Sequence, residues 1–357
     1  MLIVVLMAVV LFAVLSTAEA RSRSADRTTQ SQFNLRLLGA GSAGFASDNA
    51  GEIFTFDPNI NVGRIEAIDI ISRLTGRPIG GAEPNRLLSL QSIMPHRRYQ
   101  HLVLFDYFGS SATNEVAASP FDRNLLNWQA EPVLAQSTTV PYVSQIPPAG
   151  TDRSVQWNND DVRQLWPYGS TYQTVPAAWN PNNNNGEQKS WVPVNDTPNL
   201  FSPSGSTSLS GQQRYYPGVV FPSGKVHLFE EFDRYRWRDH LWFAYPEAKC
   251  NLLFFDGSVR RLLSSDSNPG WNPSSPSTVW NQRYYPLDKF PRYAIGYKTF
   301  DEFFMKYRWT REGLGGIDYG GDEPNRPTSA NPKHRPDPTG STSSPRDIKT
   351  AGASPID

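Results

Sequence analysis

Apolar and polar positions fall in blocks along this chain, and the longest apolar block comes first. Residues Met1 to Ala18 (MLIVVLMAVVLFAVLSTA) carry no charge, and their number approaches the roughly 20 apolar residues that a membrane-spanning helix requires. A segment that is apolar all round has no polar face to turn to water, so it belongs in a bilayer or in a processing signal. Two readings stand: a cleaved signal peptide ending at Ala18-Glu19-Ala20, which has the small-x-small form, and a retained anchor helix, favoured because nothing basic precedes the run. Both put the remainder outside the cytoplasm. Arg21, Arg23 and Arg27, just beyond the run, pull the other way under the positive-inside bias.

From Ala18 to Leu38 the chain turns polar without a Pro or Gly, which predicts that one helix continues past its apolar half. That helix is expected to stop in the run Gly39, Gly41, Gly44, since each glycine costs about 1 kcal/mol in a helix interior. Asp48-Asn49-Ala50-Gly51 then reads as a turn. Ile65, Ile68, Ile71 and Leu74 recur every third position and predict an amphipathic helix over 64–74, closed by Gly76 and Pro78. The run RYQHLVLFDYF over 98–108 is rich in β-branched and aromatic residues and predicts a strand.

Between Pro120 and Gly211 the frequent Trp, Pro and Asn landmarks predict long loops. At Val219 to Glu231 two apolar segments flank a Pro-Ser-Gly turn. The sharpest local signal is CNLLFF over 250–255, then Asp256-Gly257, then SVRRLL over 258–263. It predicts a β-hairpin in which Asp256 and Gly257 form a structural turn, both residue types tolerating the positive φ of two-residue hairpin loops. From Asp322 onward Pro, Ser, Thr and Asn prevail, and too little apolar surface remains to offset the entropy of ordering. The expected organisation is an anchor and extended helix (1–46), a globular domain (47–320) and a disordered tail (321–357). The fold class expected is α+β: a long N-terminal helix, its first half in the membrane, packed on a mainly antiparallel sheet with long loops.

Three segments, in order, resemble the prepilin-type proteins related to type II secretion pseudopilins that carry a C-terminal Asp-Gly signature. They are the apolar helix running into Asn34-Leu35-Arg36 and on to Ala46-Ser47-Asp48-Asn49-Ala50-Gly51; the stretch Phe221-Pro222-Ser223-Gly224-Lys225-Val226-His227-Leu228-Phe229-Glu230; and the hairpin Asn251-Leu252-Leu253-Phe254-Phe255-Asp256-Gly257-Ser258-Val259. The resemblance implies a non-enzymatic, single-pass protein of the inner membrane with its globular domain outside the cytoplasm. Implied partners are the membrane, through the N-terminal helix, and further copies or other pseudopilin-like subunits. Pro246 stands where the family has its signature histidine, so no role is carried to that position. The alternative is an exported carbohydrate-binding or carbohydrate-acting protein with a cleaved signal peptide.

Composition narrows the chemistry further. Lys+Arg and Asp+Glu both number 34, so no net charge draws the chain to nucleic acid. The single cysteine, Cys250, excludes an intrachain disulfide and a Cys-built zinc site, and its apolar neighbours mark it as an inert core residue. Gly39-Ala40-Gly41-Ser42-Ala43-Gly44 matches G-x-G-x-x-G, but no strand precedes it and a turn follows, so it reads as a helix terminus of small residues and no cofactor is expected. His96, His101, His227, His240 and His334 form no metal-binding spacing.

Among the acids, Asp160-Asp161 and Glu230-Glu231-Asp233 cannot be placed opposite one another as a glycosidase pair from sequence. Gly315 to Glu323 offers a candidate calcium loop with Asp318, Asp322 and Glu323 as ligands, because hard cations take several oxygens from a flexible loop. Trp237, Trp242, Phe243, Tyr245, Phe254 and Phe255 are expected to form the core that packs the sheet on the helix, each burying about 150–250 Å². Trp271, Trp280 and Trp309 are candidates for a partner surface.

Overall fold

The structure, a computed structural model, describes residues 2–57, 59–77, 79, 96, 99–108, 115–132, 166–180, 191–194, 197–203, 213–235, 241–270, 282–284 and 301–322, with the side chains of the first helix described at Ser22 and from Ser24 onward. Four α-helices and ten strands fall within those residues. The helices are α1 (Leu2–Asp48), α2 (Ile60–Thr75), α3 (Phe105–Phe108) and α4 (Arg123–Ala130). The strands are β1 (Tyr172–Thr174), β2 (Trp191–Val194), β3 (Thr197–Pro203), β4 (Val226–Glu230), β5 (Phe232–Asp233), β6 (Leu241–Trp242), β7 (Lys249–Phe254), β8 (Val259–Leu263), β9 (Gln282–Tyr284) and β10 (Asp301–Phe303). The protein is α+β, built on a four-stranded antiparallel sheet in the order β1-β4-β7-β8. The other strands pair off as β2-β3, β5-β6 and β9-β10.

Helix α1 does not stop in the glycine run. It continues to Asp48, where Gly51 N–H bonds Ala46 O at 2.7 Å with Ala50 (φ 52°) and Gly51 (φ 82°) in the left-handed region, as in a Schellman terminus. The glycines persist in the helix because their bare faces seat other groups. A Cβ on Gly39 would lie 2.9 Å from Leu253, one on Gly41 2.5 Å from the Phe108 ring, and one on Gly44 2.9 Å from the Tyr107 ring. Close approach of those rings recovers in buried apolar area what the glycines forfeit in propensity.

The same contacts explain a second departure from the sequence reading. Of the expected strand over 98–108, the described residues 99–108 form none: Gln100–Leu104 is a 3-10 turn that passes into α3. Strand propensity reports fit to a pleated, half-buried surface, and this segment meets a helix instead, laying Tyr107 and Phe108 into the glycine face of α1 and burying Leu102 and Leu104. Helix α2 forms as its period predicts, with Ile68 and Ile71 buried beside Phe56 and Tyr99. Ile65, expected on that face, is 62 % exposed.

The sheet separates two cores. Along β7 the side chains alternate, Cys250, Leu252 and Phe254 pointing to one face and Asn251 and Leu253 to the other. The first face carries the aromatic core, with Trp242, Phe243, Trp179, Tyr307 and Trp309. Leu35 and Leu38 of α1 pack on the second face against Tyr172, Leu228 and Leu253. The aromatics around the hairpin are therefore core, but they fill the side of the sheet away from α1. Trp309 is buried among them and offers no partner surface. Trp237, Trp271 and Trp280 lie outside the described residues, as does the expected tail beyond Asp322.

Candidate functional site: the junction of helix α1 with the sheet

Antiparallel register lines up residues from neighbouring strands in rows, and two rows of this sheet face α1. Thr174 pairs with Leu228, Leu228 with Leu253 and Leu253 with Val259, an apolar row beneath Leu35 and Leu38. One row over, Tyr172 pairs with Glu230, and Asn251, which pairs with Arg261, gives its N–H to Glu230 Oε2 at 3.3 Å. This polar row lies one helical turn earlier, beneath Ser31 and Gln32. The helix face thus changes from polar to apolar in step with the sheet.

Glu230 is the focus of the polar row, its residue fully buried. Its Oε1 accepts hydrogen bonds from Ser31 Oγ at 2.7 Å and from Tyr235 Oη at 2.7 Å. Behind those donors stand others: Ser31 Oγ lies 2.8 Å from Tyr172 Oη, Gln32 Nε2 donates to Asn251 Oδ1 at 3.3 Å, and Asn251 Nδ2 donates to Tyr235 Oη. Every chain of donors ends on one carboxyl group. Burial raises the Glu230 carboxyl above the ordinary glutamate value, while the hydroxyls of Tyr235 and Ser31 pull it back. Burial likewise raises both phenols, the nearby carboxylate adding to the shift, so they stay neutral and serve as donors. Asn34 completes the helix side by donating to Ala118 O at 3.0 Å and Glu115 O at 3.2 Å.

Neighbouring acids are held differently. Asp122 caps α4 by accepting from Leu125 N–H and pairs with Arg234 at 3.2 Å. Asp233 accepts the backbone N–H groups of Tyr235 and Lys249 and pairs with Arg261 at 3.3 Å. Glu231 accepts from the Trp242 indole at 3.3 Å. The acidic trio Glu230, Glu231 and Asp233 is thereby buried and bonded within the fold, while Asp160 and Asp161 lie outside the described residues.

Asp318 is turned toward β4. Its Oδ2 meets Lys225 Nζ at 2.9 Å and Val226 N–H at 2.8 Å, and its Oδ1 accepts from Thr310 Oγ1 at 2.5 Å. Burial pulls the Lys225 ammonium below the ordinary lysine value, with Asp318 opposing that pull. Asp322 is exposed and Glu323 lies outside the described residues. The structure thus brings Asp318 of the expected calcium loop to a lysine. Among the described residues no group of three or more His, Cys, Asp and Glu side chains is arranged to hold a metal ion.

The hairpin is present, with a change in its loop. Phe254 N–H bonds Ser258 O and Gly257 N–H bonds Phe254 O, which encloses Phe255, Asp256 and Gly257 in a three-residue loop. Gly257 alone takes positive φ, at 81°, while Asp256 accepts from Ser258 N–H at 2.9 Å. Cys250 sits buried in β7, where burial pushes its thiol well up. His96 lies 2.9 Å from Asp57 O, and burial lowers its imidazole to about 4. His227 stacks on Phe255 at 4.1 Å and is lowered by burial to about 3. His101 lines a small cavity with Gln100 and Ser170, and His240 and His334 lie outside the described residues.

The Ser31–Glu230 junction was not singled out in the sequence. Its signal is present all the same: Leu228 and Glu230 share a strand face, while Ser31, Leu35, Leu38 and Ser42 recur at helical spacing. No protein-family model, curated protein or solved structure matches the chain. Among the described residues no helix is long and apolar enough to cross a membrane. The side chains of Met1 to Ala18, on which the anchor expectation rests, lie outside those described.

Proposed function

We propose that this chain is a non-enzymatic, membrane-anchored, pseudopilin-like structural protein. In this reading it is a single-pass protein of the inner membrane, its body lies outside the cytoplasm, and it associates with itself or with other pseudopilin-like subunits in a type II secretion or pilus-like assembly. One contrast along the chain supports the reading. Ser31 to Phe45 is committed to the sheet and to α3, whereas Met1 to Ala18 of the same chain has the composition of a lipid-facing segment. The three segments that resemble, in sequence order, prepilin-type proteins support it, and Asp256 and Gly257 serve the turn of the third.

Membrane fractionation of the expressed protein with N-terminal sequencing tests the anchor. The expected result is a chain that keeps its apolar segment and resists alkaline extraction from membranes. Crosslinking in those membranes should then capture contacts between anchor helices. A soluble mature chain starting near Arg21 that binds polysaccharide would instead establish the exported carbohydrate-binding alternative.

A further inference from the structure

The junction beneath α1 holds a buried carboxyl group whose hydrogen bonds all come from neutral donors. Asp122, Asp233 and Asp318 each lie within 3.3 Å of a cationic side chain. Glu230 is equally buried, yet its hydrogen-bond partners are neutral: a serine hydroxyl, a phenol and a backbone N–H. A charge in such a place loses hydration that neutral donors restore only in part. Ser31 places α1 directly on this carboxyl as one of its donors, so lifting the helix exchanges that donor for water.

The titratable and charged groups facing Glu230 come from each element packed on it. Tyr172 comes from β1, Arg234 and Tyr235 from the segment after β5, and Cys250 from β7, while α1 contributes the neutral Ser31. The two phenols and the thiol are held neutral by burial, while Arg234, paired with Asp122, also favours the ionised form of Glu230 and opposes the upward pull of burial. Glu230 is thus the group in this cluster whose charge changes as pH moves upward from the ordinary glutamate range.

We propose that Glu230 is a proton-operated latch for α1: the helix is seated most firmly when this carboxyl is protonated and lifts more readily when it is ionised. The sign follows from linkage. A carboxyl whose seated-state pKa lies above its hydrated value binds more protons when α1 is down, so seating is strongest at low pH and weakens as pH rises through the seated-state pKa. His96 and His227, lowered by burial, work in the opposite direction on the fold as a whole. The latch must therefore be read locally, on α1. The inference rests on the junction alone and does not depend on the pseudopilin-like reading.

The test is hydrogen exchange on the full chain in detergent, at steps from about pH 5 to about pH 8, corrected for intrinsic rates and comparing α1 peptides with those of β7. In the wild type, protection of α1 relative to β7 should fall with pH by up to about tenfold per unit inside the window. Glu230→Gln, which keeps shape and removes the charge, should flatten the profile. Ser31→Ala keeps the carboxyl but removes a donor to its ionised form, and should carry the fall to higher pH. A wild-type profile parallel to that of Glu230→Gln overturns the proposal. If Glu230→Gln does not fold, the Ser31→Ala profile decides: extension to higher pH supports the latch and coincidence with wild type overturns it.

Discussion

Ser31 on helix α1 donates a 2.7 Å hydrogen bond to the buried carboxyl of Glu230, a residue 199 positions further along the chain. The bond sets both the rotation and the axial position of α1 on the sheet, because Leu35 and Leu38 reach their own row only when Ser31 is over Glu230. Ser31→Ala should therefore lower stability by about 0.5–1.5 kcal/mol at low pH, where Glu230 is protonated, and by about 1.5–3 kcal/mol where it is ionised, the ranges for hydrogen bonds to neutral and to charged groups. Denaturant unfolding followed by tryptophan fluorescence measures this directly, and an unchanged midpoint would show that the apolar row alone positions the helix.

Gly41 should tolerate no side chain. A methyl group there lies 2.5 Å from the Phe108 ring, so Gly41→Ala must push that ring off α1 and is expected to destabilise by about 1–3 kcal/mol even though alanine is the better helix former. Ala43 on the exposed side supplies the control: Ala43→Leu should stay within about 0.5 kcal/mol of the parent. Thermal midpoints of the two variants give the comparison.

Lys225 and Asp318 hold the C-terminal segment against the start of β4. Removing either partner leaves an uncompensated buried charge, so Asp318→Ala should cost about 3–5 kcal/mol, whereas the double change Lys225→Met with Asp318→Leu should recover much of that loss. Addition of calcium should leave the wild-type midpoint unmoved if Asp318 is committed to the lysine. A calcium-dependent rise would restore the loop reading.

Gly257 closes the hairpin with φ at 81°. Gly257→Ala should cost about 1–2 kcal/mol from left-handed strain, and Asp256→Ala about 1 kcal/mol from the lost bond to Ser258 N–H. Stabilities near wild type for both would mean that β7 and β8 pair without help from their loop.

His227 provides a pH signature. Its folded-state pKa of about 3 lies below the ordinary 6.5, so the unfolded chain binds the proton first and stability declines as pH falls from about 6.5, by up to about 1.4 kcal/mol per unit. His227→Phe should remove part of that acid sensitivity while preserving the stack on Phe255. Unfolding midpoints between about pH 4 and about pH 7 show it as a shallower slope.

What the sequence determined by itself is local. The hairpin around Asp256-Gly257, the turn after Asp48, the helix over α2 and the inert burial of Cys250 depend on residues a few positions apart, and short-range sterics and alternation suffice to specify them. Even there the loop proved one residue longer, because a single glycine in the left-handed region satisfies the pairing of Phe254 with Ser258. The tertiary structure decided everything that rests on distant partners. It carried α1 through three glycines by packing Leu253, Phe108 and Tyr107 on them, turned a strand-like run into helix, moved the aromatic core to the far face of the sheet, and gave Asp318 to Lys225 and Glu230 to Ser31. Propensities of about 1 kcal/mol per residue are smaller than the burial of a single aromatic ring or the desolvation of one carboxylate, so where the two conflict the long-range contact prevails.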